Sequence, residues 1–456
     1  MTYKKLFLAL PVVLGAMALT TSCSFEQDEY FDESASLRVT HQNENIKDRL
    51  VAQSSAGKNG WVIQYFVAGT DDYNFEGFNL FGRFYNSGKV TLASDHKFLR
   101  NGNAGKYTEH TSTYEMLAEE GSVLAFNTWN DILTVFVDPV DPTKAPGQLI
   151  NNGEGMYGDQ NLVLKKLADD EIQFYGERHG AITRVIPCDR PWQQYIDDTQ
   201  AMKNRIATTS LTSYYVINET DTMFFKDLNK GLFTYCERIN DPLQKKTFKC
   251  VFTPNGFRME RPEIFGESSF QEFTVNSDTT CLKNEDGKIK VVACWDTYVT
   301  NFTNVWSINL DSLSADQKAL VSQLDVELKK ANSTMTFTGL KIGEGGTHKG
   351  SKVRGLILSY SYTSRKKVVN AVATVGLNFN RPSYGKMTIN YTDENPSDDN
   401  LANFASLSEN NVADVLRQLA STFAGNYEMV PNSYFLPTSV SMKSINGSTS
   451  SFDIYK

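Results

Sequence analysis

The chain has 456 residues, which at about 150 residues per domain allows two or three domains and a sizeable core. Hydrophobic residues make up 40% and charged residues 21%, a composition typical of folded globular proteins and not of disordered ones. With 53 acidic and 45 basic residues the net charge is -8, so the chain lacks the basic excess on which nucleic-acid binding depends, and we expect no nucleic-acid partner.

Residues 1–22 have the pattern of a lipoprotein signal peptide. Lys4 and Lys5 precede an apolar run over residues 6–19, and small residues then lead to Cys23. The run is shorter than the roughly 20 residues of a membrane-spanning helix. A cysteine directly after small residues resembles a bacterial lipobox, although Thr20 occupies the position that is usually leucine. We therefore expect Cys23 to be the site of lipid attachment and the anchor to the membrane.

Residues 23–40 are predicted to be an acidic tether. Five carboxylates follow Cys23 closely, namely Glu26, Asp28, Glu29, Asp32 and Glu33. A run of like charge is most often a solvated segment that repels itself and stays extended.

Residues 41–188 are predicted to form a first module of one helix followed by strands. Helical spacing over Asn45–Ala56 places Ile46, Leu50 and Val51 on one face. β-Branched and aromatic runs then predict closely spaced antiparallel strands at Trp61–Phe66, Phe78–Phe84, Val90–Leu92, Ser112–Leu117, Val123–Asn127, Leu133–Val137, Leu162–Leu167 and Glu171–Tyr175.

The same order of helix and strands recurs twice. Residues 189–310 begin with a helix from Pro191 to about Ile206, and residues 311–456 begin with a helix over Ser314–Ala331 that Ser314 caps. A further helix is predicted over Asn411–Phe423. The predicted fold class is therefore α+β and predominantly antiparallel β, with two or three helix-plus-β-sheet modules of half-barrel or sandwich type.

Five cysteines remain after Cys23, so at most two disulfides can form. Cys236 with Cys250 and Cys281 with Cys294 are conceivable cross-strand pairs, and Cys188 is left over. Buried free thiols are an equally good expectation for all five. No CxxC pair is present, which argues against a zinc knuckle or a redox motif.

The sequence has no catalytic motif, and we assign no catalytic residue, no cofactor and no reaction. It contains neither HExxH nor GxSxG. One acidic loop could coordinate calcium through hard oxygen ligands, although it lacks the glycine and the terminal glutamate of a calcium-binding loop; its residues are Asp393, Glu394, Asp398 and Asp399. No other metal site is predicted.

Three aromatic residues are candidates for a ligand-binding surface. Tyr73 and Phe75 lie in an acidic stretch that we expect to be an exposed loop, and Trp129 precedes a turn at Asn130 and Asp131. Flat exposed rings can stack on sugar rings. The alternative is that these rings help to build the β core.

Several stretches resemble a family of Bacteroidetes lipoproteins catalogued as domain of unknown function 4302. They cover residues 31–38, 59–65, 77–79, 124–130, 138–139 and 155–159, and the resemblance thins towards residue 280. It implies an outer-membrane lipoprotein near a TonB-dependent nutrient transporter and its partner lipoprotein, and it brings no catalytic residues. In such lipoproteins the acidic residues behind the anchor resemble an export signal, which implies exposure at the cell surface.

Three functions are compatible with these features. The leading hypothesis is a lipid-anchored binding or accessory lipoprotein that captures a glycan or peptide nutrient for the transporter. The second is a surface hydrolase whose carboxylates meet only in the folded chain, and the third is a structural subunit of the transporter complex. Paired carboxylates of perturbed pKa in a pocket would favour the hydrolase, and an exposed aromatic surface would favour binding.

Overall fold

The structure is a computed structural model, and it describes residues 33–456 apart from 70–73, 120, 142–143, 145–146, 220, 237–245, 302, 349–350, 393–410 and 448. These residues form three sheets, in which every paired strand is antiparallel, and five α-helices. The α+β, predominantly antiparallel fold class is therefore confirmed. The helices are α1 Ala35–Gln53, α2 Trp192–Ile206, α3 Trp295–Thr300, α4 Ala315–Ala331 and α5 Val412–Ser421.

Helix α1 begins at Ala35, earlier than the predicted start at Asn45, so residues 35–40 of the predicted tether are helical. Ser34 caps the helix, because its side chain accepts a hydrogen bond from the backbone N–H of Leu37 at 3.3 Å. Most of the first two turns is exposed and carries no apolar stripe, which is why hydrophobic periodicity missed them.

The first sheet has nine strands, in the spatial order β4-β3-β2-β1-β9-β8-β7-β6-β5. Its strands are β1 Trp61–Phe66, β2 Phe78–Phe84, β3 Lys89–Ser94, β4 Thr108–Thr113, β5 Glu115–Ala118, β6 Ser122–Ala125, β7 Asn161–Leu167, β8 Ile172–Gly176 and β9 Ile182–Pro187.

The two edge strands of this sheet follow each other in the chain, with only Tyr114 between them. The single strand predicted over Ser112–Leu117 is therefore wrong. Tyr114 is buried and donates its backbone N–H to Gly88 O, which interrupts the strand and turns the chain from one edge of the sheet to the other. The sheet is thus curled, and its interior holds one apolar cluster into which α1 inserts Ile46 and Leu50.

The strand predicted over Leu133–Val137 is also wrong, because Thr134–Phe136 forms a 3-10 helix. Asn130 sets up this turn: its side-chain oxygen accepts from Ile132 N at 3.0 Å, and its backbone oxygen accepts from Thr134 N at 2.8 Å. Local bonding of this kind by asparagine competes with strand formation.

Helix α2 begins directly after Pro191, as the sequence predicts, and it lies between the first and second sheets. On one side Trp192 packs against Phe81 of β2, with ring centres 5.8 Å apart. On the other side the ammonium of Lys203 lies 5.1 Å from the ring centre of Phe252. The helix therefore joins the outer face of the first sheet to the second.

The second sheet is a closed eight-stranded barrel. Closure comes from β10 and β17, which pair Tyr214 with Ala293 and Val216 with Val291. The strands are β10 Ser213–Ile217, β11 Thr222–Lys226, β12 Leu232–Cys236, β13 Lys246–Thr253, β14 Gly256–Phe265, β15 Ser268–Val275, β16 Leu282–Asn284 and β17 Lys290–Ala293.

The third sheet is also a closed eight-stranded barrel, with α4 inserted after its first strand and α5 after its fifth. Its first strand begins at Trp306, before the predicted module boundary at residue 311. The strands are β18 Trp306–Ile308, β19 Thr336–His348, β20 Ser351–Ser364, β21 Lys367–Asn380, β22 Lys386–Tyr391, β23 Gly425–Pro431, β24 Ser439–Ser444 and β25 Phe452–Tyr455.

The two barrels share one apolar core. A single cluster of buried side chains extends from Tyr214 and Phe225 through Trp295 and Trp306 to Leu416. The first sheet has its own interior cluster, and α2 packs on its outside. The division of the chain into modules with the predicted boundaries remains a prediction.

The cysteines that the structure describes in full are buried free thiols: Cys188, Cys250, Cys281 and Cys294. The conceivable pairs that include Cys250 and Cys281 are therefore not disulfides here. The register of β16 and β17 joins Leu282 to Val291, which leaves Cys281 and Cys294 out of register with each other.

Candidate functional site

Most residues singled out from the sequence lie outside the described residues. These are Cys23, Tyr73, Asp393, Glu394, Asp398 and Asp399. The predicted lipid attachment, the predicted ligand contact at Tyr73 and the weak calcium candidate therefore remain predictions. Within the described residues, no group of three or more His, Cys, Asp or Glu side chains could hold a metal ion.

Phe75 and Trp129 are described, and they have different surroundings. Phe75 is half-buried and packs edge-on against Phe98, with ring centres 5.5 Å apart. Trp129 is 47% exposed, its indole N–H donates to Asp131 at 2.6 Å, and the guanidinium of Arg100 lies 5.6 Å from its ring centre. Trp129 thus keeps an accessible ring, whereas Phe75 belongs to the edge of the core.

A larger site lies elsewhere, in a cleft of about 790 Å³ between the first sheet and the second barrel. Strands β7, β8 and β9 form one wall, and β14 and β15 form the other. The residues that line the cleft lie as far apart in the sequence as Phe66 and Gln271, so sequence reasoning did not find it. The available clue was a charged residue, Arg258, between the apolar residues Phe257 and Met259.

Both walls of the cleft contain a β-bulge. In β7 the pairing with β8 shifts between Leu164 and Lys166, at Lys165. In β14 the pairing with β15 shifts between Arg258 and Glu263, a stretch that contains Arg261. A bulge redirects side chains out of the regular alternation of a strand, and bulges are over-represented beside functional sites.

Arg184 lies at the centre of the first wall. It is directly opposite Gln64 of β1 and Gln173 of β8, so the three side chains share one face of the sheet. Its Nε donates to Glu171 Oε2 at 2.5 Å, and its Nη1 lies 3.5 Å from Gln64 Oε1. Glu171 also accepts from Lys166 Nζ at 2.8 Å.

Glu272 connects the two walls. Its Oε2 lies 3.3 Å from Nη1 of Arg258, which is opposite it in the β14–β15 pair, and 3.5 Å from Nη1 of Arg184 across the cleft. Two guanidinium groups therefore share one carboxylate. Arg258 is only 7% exposed, and burial together with the nearby Arg184 lowers its pKa.

Lys249 forms a second connection across the same interface. Its ammonium donates to the backbone oxygens of Val67 and Ala68, both at 2.7 Å, and lies 3.7 Å from Glu260 Oε1. Burial lowers the pKa of Lys249. These bonds fix the second barrel against the end of β1 and hold the cleft in one geometry.

Glu171, beside this cleft, is held in its ionised form by two cations. Burial raises the pKa of Glu171, but hydrogen bonds from Lys166 and Arg184 outweigh burial and bring it to about 2. A general acid needs the opposite shift, since it must keep its proton near neutral pH. The arrangement suits the binding of a ligand by charge and hydrogen bonds.

Among the described residues, none of the helices is both long and apolar enough to cross a membrane. No curated protein matches the chain. Among solved structures, the crystal structure of the DNA polymerase III subunit beta from Pseudomonas aeruginosa aligns with 8% identity over 92% of this chain and 97% of that chain. Its TM-score is 0.12, too low for the likeness to carry an argument.

One family model matches residues 27–277, which is more than half of the chain. That range contains the whole first sheet, α2 and both walls of the cleft. The chain belongs to the family described as Domain of unknown function (DUF4302).

Proposed function

We propose that the protein is a lipid-anchored ligand-binding protein of the outer membrane, exposed at the cell surface, that captures a nutrient for a TonB-dependent transporter and its partner lipoprotein. The cleft between the first sheet and the second barrel is the observation that carries this proposal. An ion pair and hydrogen bonds join its two walls, and both walls contain bulges.

The anchor rests on the sequence. Lys4 and Lys5, the apolar run and the small residues before Cys23 have the arrangement of a lipoprotein signal. Several acyl chains on one cysteine would hold the protein firmly, since each buried methylene contributes about 0.8 kcal/mol.

A hydrolase is the second candidate, and one observation favours it. Burial, with a smaller contribution from Asp197, raises the pKa of Asp95, which is the direction that a general acid needs. Neither carboxylate lines the cleft. If the chain is a hydrolase acting through this pair, Asp95→Asn will abolish turnover of a substrate that still binds.

Blocking the cleft tests the binding function. Pro262 lines the cleft within the bulge of β14 and has no backbone N–H to lose, so Pro262→Trp should fill the cleft without removing a hydrogen bond. The full-length protein in detergent is screened against glycan and peptide arrays. We expect Pro262→Trp to abolish the binding that the natural protein shows, and the control Lys443→Trp, at an exposed position of the third barrel, to retain it. The proposal would be overturned if Pro262→Trp still bound the ligand, or if neither the natural protein nor the variants bound any array ligand.

The anchor and the partner are tested in the cell that makes the protein. Radiolabelled palmitate should label the natural protein and not Cys23→Ser. The tagged, lipidated protein should then recover a TonB-dependent transporter and its partner lipoprotein from solubilised outer membranes. Labelling of Cys23→Ser would disprove the predicted attachment site, and recovery without either partner would disprove the accessory role.

A further inference from the structure

We infer that the cleft binds an acidic carbohydrate, an inference that rests on the binding function proposed above. The chain as a whole is acidic, with a net charge of -8. The cleft has the opposite character: among the described residues, its lining includes five cationic side chains and one carboxylate, Glu260. The cations are Lys165, Lys166, Arg184, Arg258 and Arg261.

The carboxylates beside the lining do not balance these cations. Glu171 is shared by Lys166 and Arg184, and Glu272 is shared by Arg184 and Arg258. Within the part of the chain that the structure describes, Glu272 is the only carboxylate that pairs with the buried Arg258. An anionic group of a ligand would therefore meet guanidinium groups whose charge Glu171 and Glu272 compensate only in part. The interaction would be strong, because Arg258 is buried from solvent.

The two remaining cations lie at the bulges. No described residue forms an ion pair with Lys165 or Arg261, and the two stand on opposite walls of the cleft. Two unpaired cations redirected from two strands into one cleft are arranged to meet a common ligand. An anion between them would gain charge-assisted hydrogen bonds from both walls.

Other groups in the lining suit a sugar. Tyr175 of β8 is 44% exposed, so its ring can stack on the face of a pyranose. Gln173 and Gln271 also line the cleft. Their NH2 groups donate to Glu171 and to backbone oxygens of β14, so their amide oxygens are the groups that can accept hydrogen bonds from sugar hydroxyls. A cation pair, an aromatic ring and two amides match the carboxylate or sulfate, the ring face and the hydroxyls of an acidic sugar.

A peptide fits this cleft less well. Extended peptides commonly bind by adding a strand to a free sheet edge. All five strands of the two walls, β7, β8, β9, β14 and β15, are paired on both sides, so the walls offer no such edge. Recognition must come from side chains, which favours a ligand rich in hydroxyl and anionic groups.

The experiment measures binding of the full-length protein in detergent by calorimetry at low salt. The acidic probes are oligogalacturonate, a chondroitin sulfate oligosaccharide and polysialic acid. Methyl-esterified oligogalacturonate is the matched neutral probe, and a polyglutamate peptide is the acidic probe of the other class. We expect at least one acidic carbohydrate to bind, to lose affinity as salt rises, and to bind at least tenfold more tightly than the neutral probe, as is typical of about one charged hydrogen bond.

The variant Lys165→Gln/Arg261→Gln localises the site. Neither side chain has an ion pair among the described residues, so the change removes charge without breaking an ion pair of the fold. We expect binding to weaken by about tenfold or more for each cation lost. The control Lys288→Gln/Lys290→Gln also removes two positive charges, at exposed positions of the second barrel away from the cleft lining. It should leave the affinity unchanged.

Each other outcome contradicts the inference in a distinct way. Equal binding of the neutral probe would exclude the charge requirement, and tighter binding of polyglutamate would make the ligand a peptide. If only neutral ligands bind, and Pro262→Trp abolishes that binding, the inference of an acidic ligand is wrong and the binding function still holds. Absence of binding by every probe and every array ligand would overturn both.

Discussion

Asp296 of α3 accepts a 2.8 Å hydrogen bond from Arg381, which lies between β21 and β22 of the third barrel. Asp296 is fully buried, and it also accepts from the backbone N–H of Gly385 at 3.1 Å. Arg381 donates in addition to the hydroxyl of Tyr215 in the second barrel. This ion pair therefore joins the two barrels beside the apolar core that they share.

Breaking this pair should destabilise both barrels together. Removing one partner of a buried pair leaves the other charge without compensation and costs about 3 kcal/mol or more. We expect Arg381→Met to lower the free energy of unfolding in urea by about that amount, and Asp296→Asn by less, because Arg381 is partly exposed and can regain water. The control is Asp311→Asn at an exposed position. Losses below about 1 kcal/mol for both variants would contradict this account.

The low pKa of Glu171 predicts a specific dependence of stability on pH. Its pKa in the folded protein is about 2, below the ordinary value of 4.5, so its contribution is fully present above pH 4.5 and is lost as the pH falls towards 2. We expect Glu171→Gln to cost about 2 kcal/mol at pH 7, allowing for solvent screening of the partly exposed partners.

The measurement is the free energy of urea unfolding for both proteins between pH 7 and pH 2. The difference between them should shrink steadily below pH 4.5. The control is Asp170→Asn, which removes an exposed carboxylate and should change the free energy of unfolding little at any pH. A difference that stays constant down to pH 2 would show that Glu171 is not held by Lys166 and Arg184.

The turn between β8 and β9, at the rim of the cleft, should not tolerate a side chain at Gly176. A Cβ there would lie 1.8 Å from Asp159 Oδ2, while Asp159 accepts hydrogen bonds from the backbone N–H groups of His179 and Ala181 at about 3 Å. Gly176→Ala must displace this buried carboxylate, so we expect a loss of about 2 kcal/mol or more in the free energy of unfolding.

Gly121→Ala is the matched control, because nothing lies within 4 Å of a Cβ built at that glycine. Amide hydrogen exchange should locate the damage of Gly176→Ala at residues 178–181. Protection there that equals the natural protein's would disprove the role of Asp159 in organising this turn.

Local signals in the sequence were enough to predict several elements. Pro191 marks the start of α2, and Ser314 marks the start of α4, because both effects act within one helical turn. Barrel closure depends instead on pairs such as Tyr214 with Ala293, which are far apart in the chain and leave no local signal. The sequence therefore predicted antiparallel sheets of half-barrel or sandwich type, and the full closure of two of them appears only in the structure.

The cleft also depends on residues that are far apart in the chain, so the sequence did not predict it. Arg184, Arg258 and Glu272 belong to three different strands, β9, β14 and β15, and only tertiary packing brings Arg184 to the other two. Exposed aromatic residues were the sequence criterion, and it selected Trp129 and Phe75 but passed over Tyr175, which lies at the cleft. The criterion could not distinguish a ring beside cations from a ring at the edge of the core.

The capping box of α4 gives a prediction that is independent of the cleft. Ser314 accepts from the backbone N–H of Gln317 at 3.3 Å, and the Gln317 side chain accepts from the backbone N–H of Ser314 at 3.1 Å. Ser314→Ala removes one half of this box, so we expect it to lower the free energy of unfolding by about 1 kcal/mol. Ser322→Ala, at an exposed position of the same helix, should change it by much less. Equal losses from the two serines in urea unfolding would mean that the helix start does not depend on its cap.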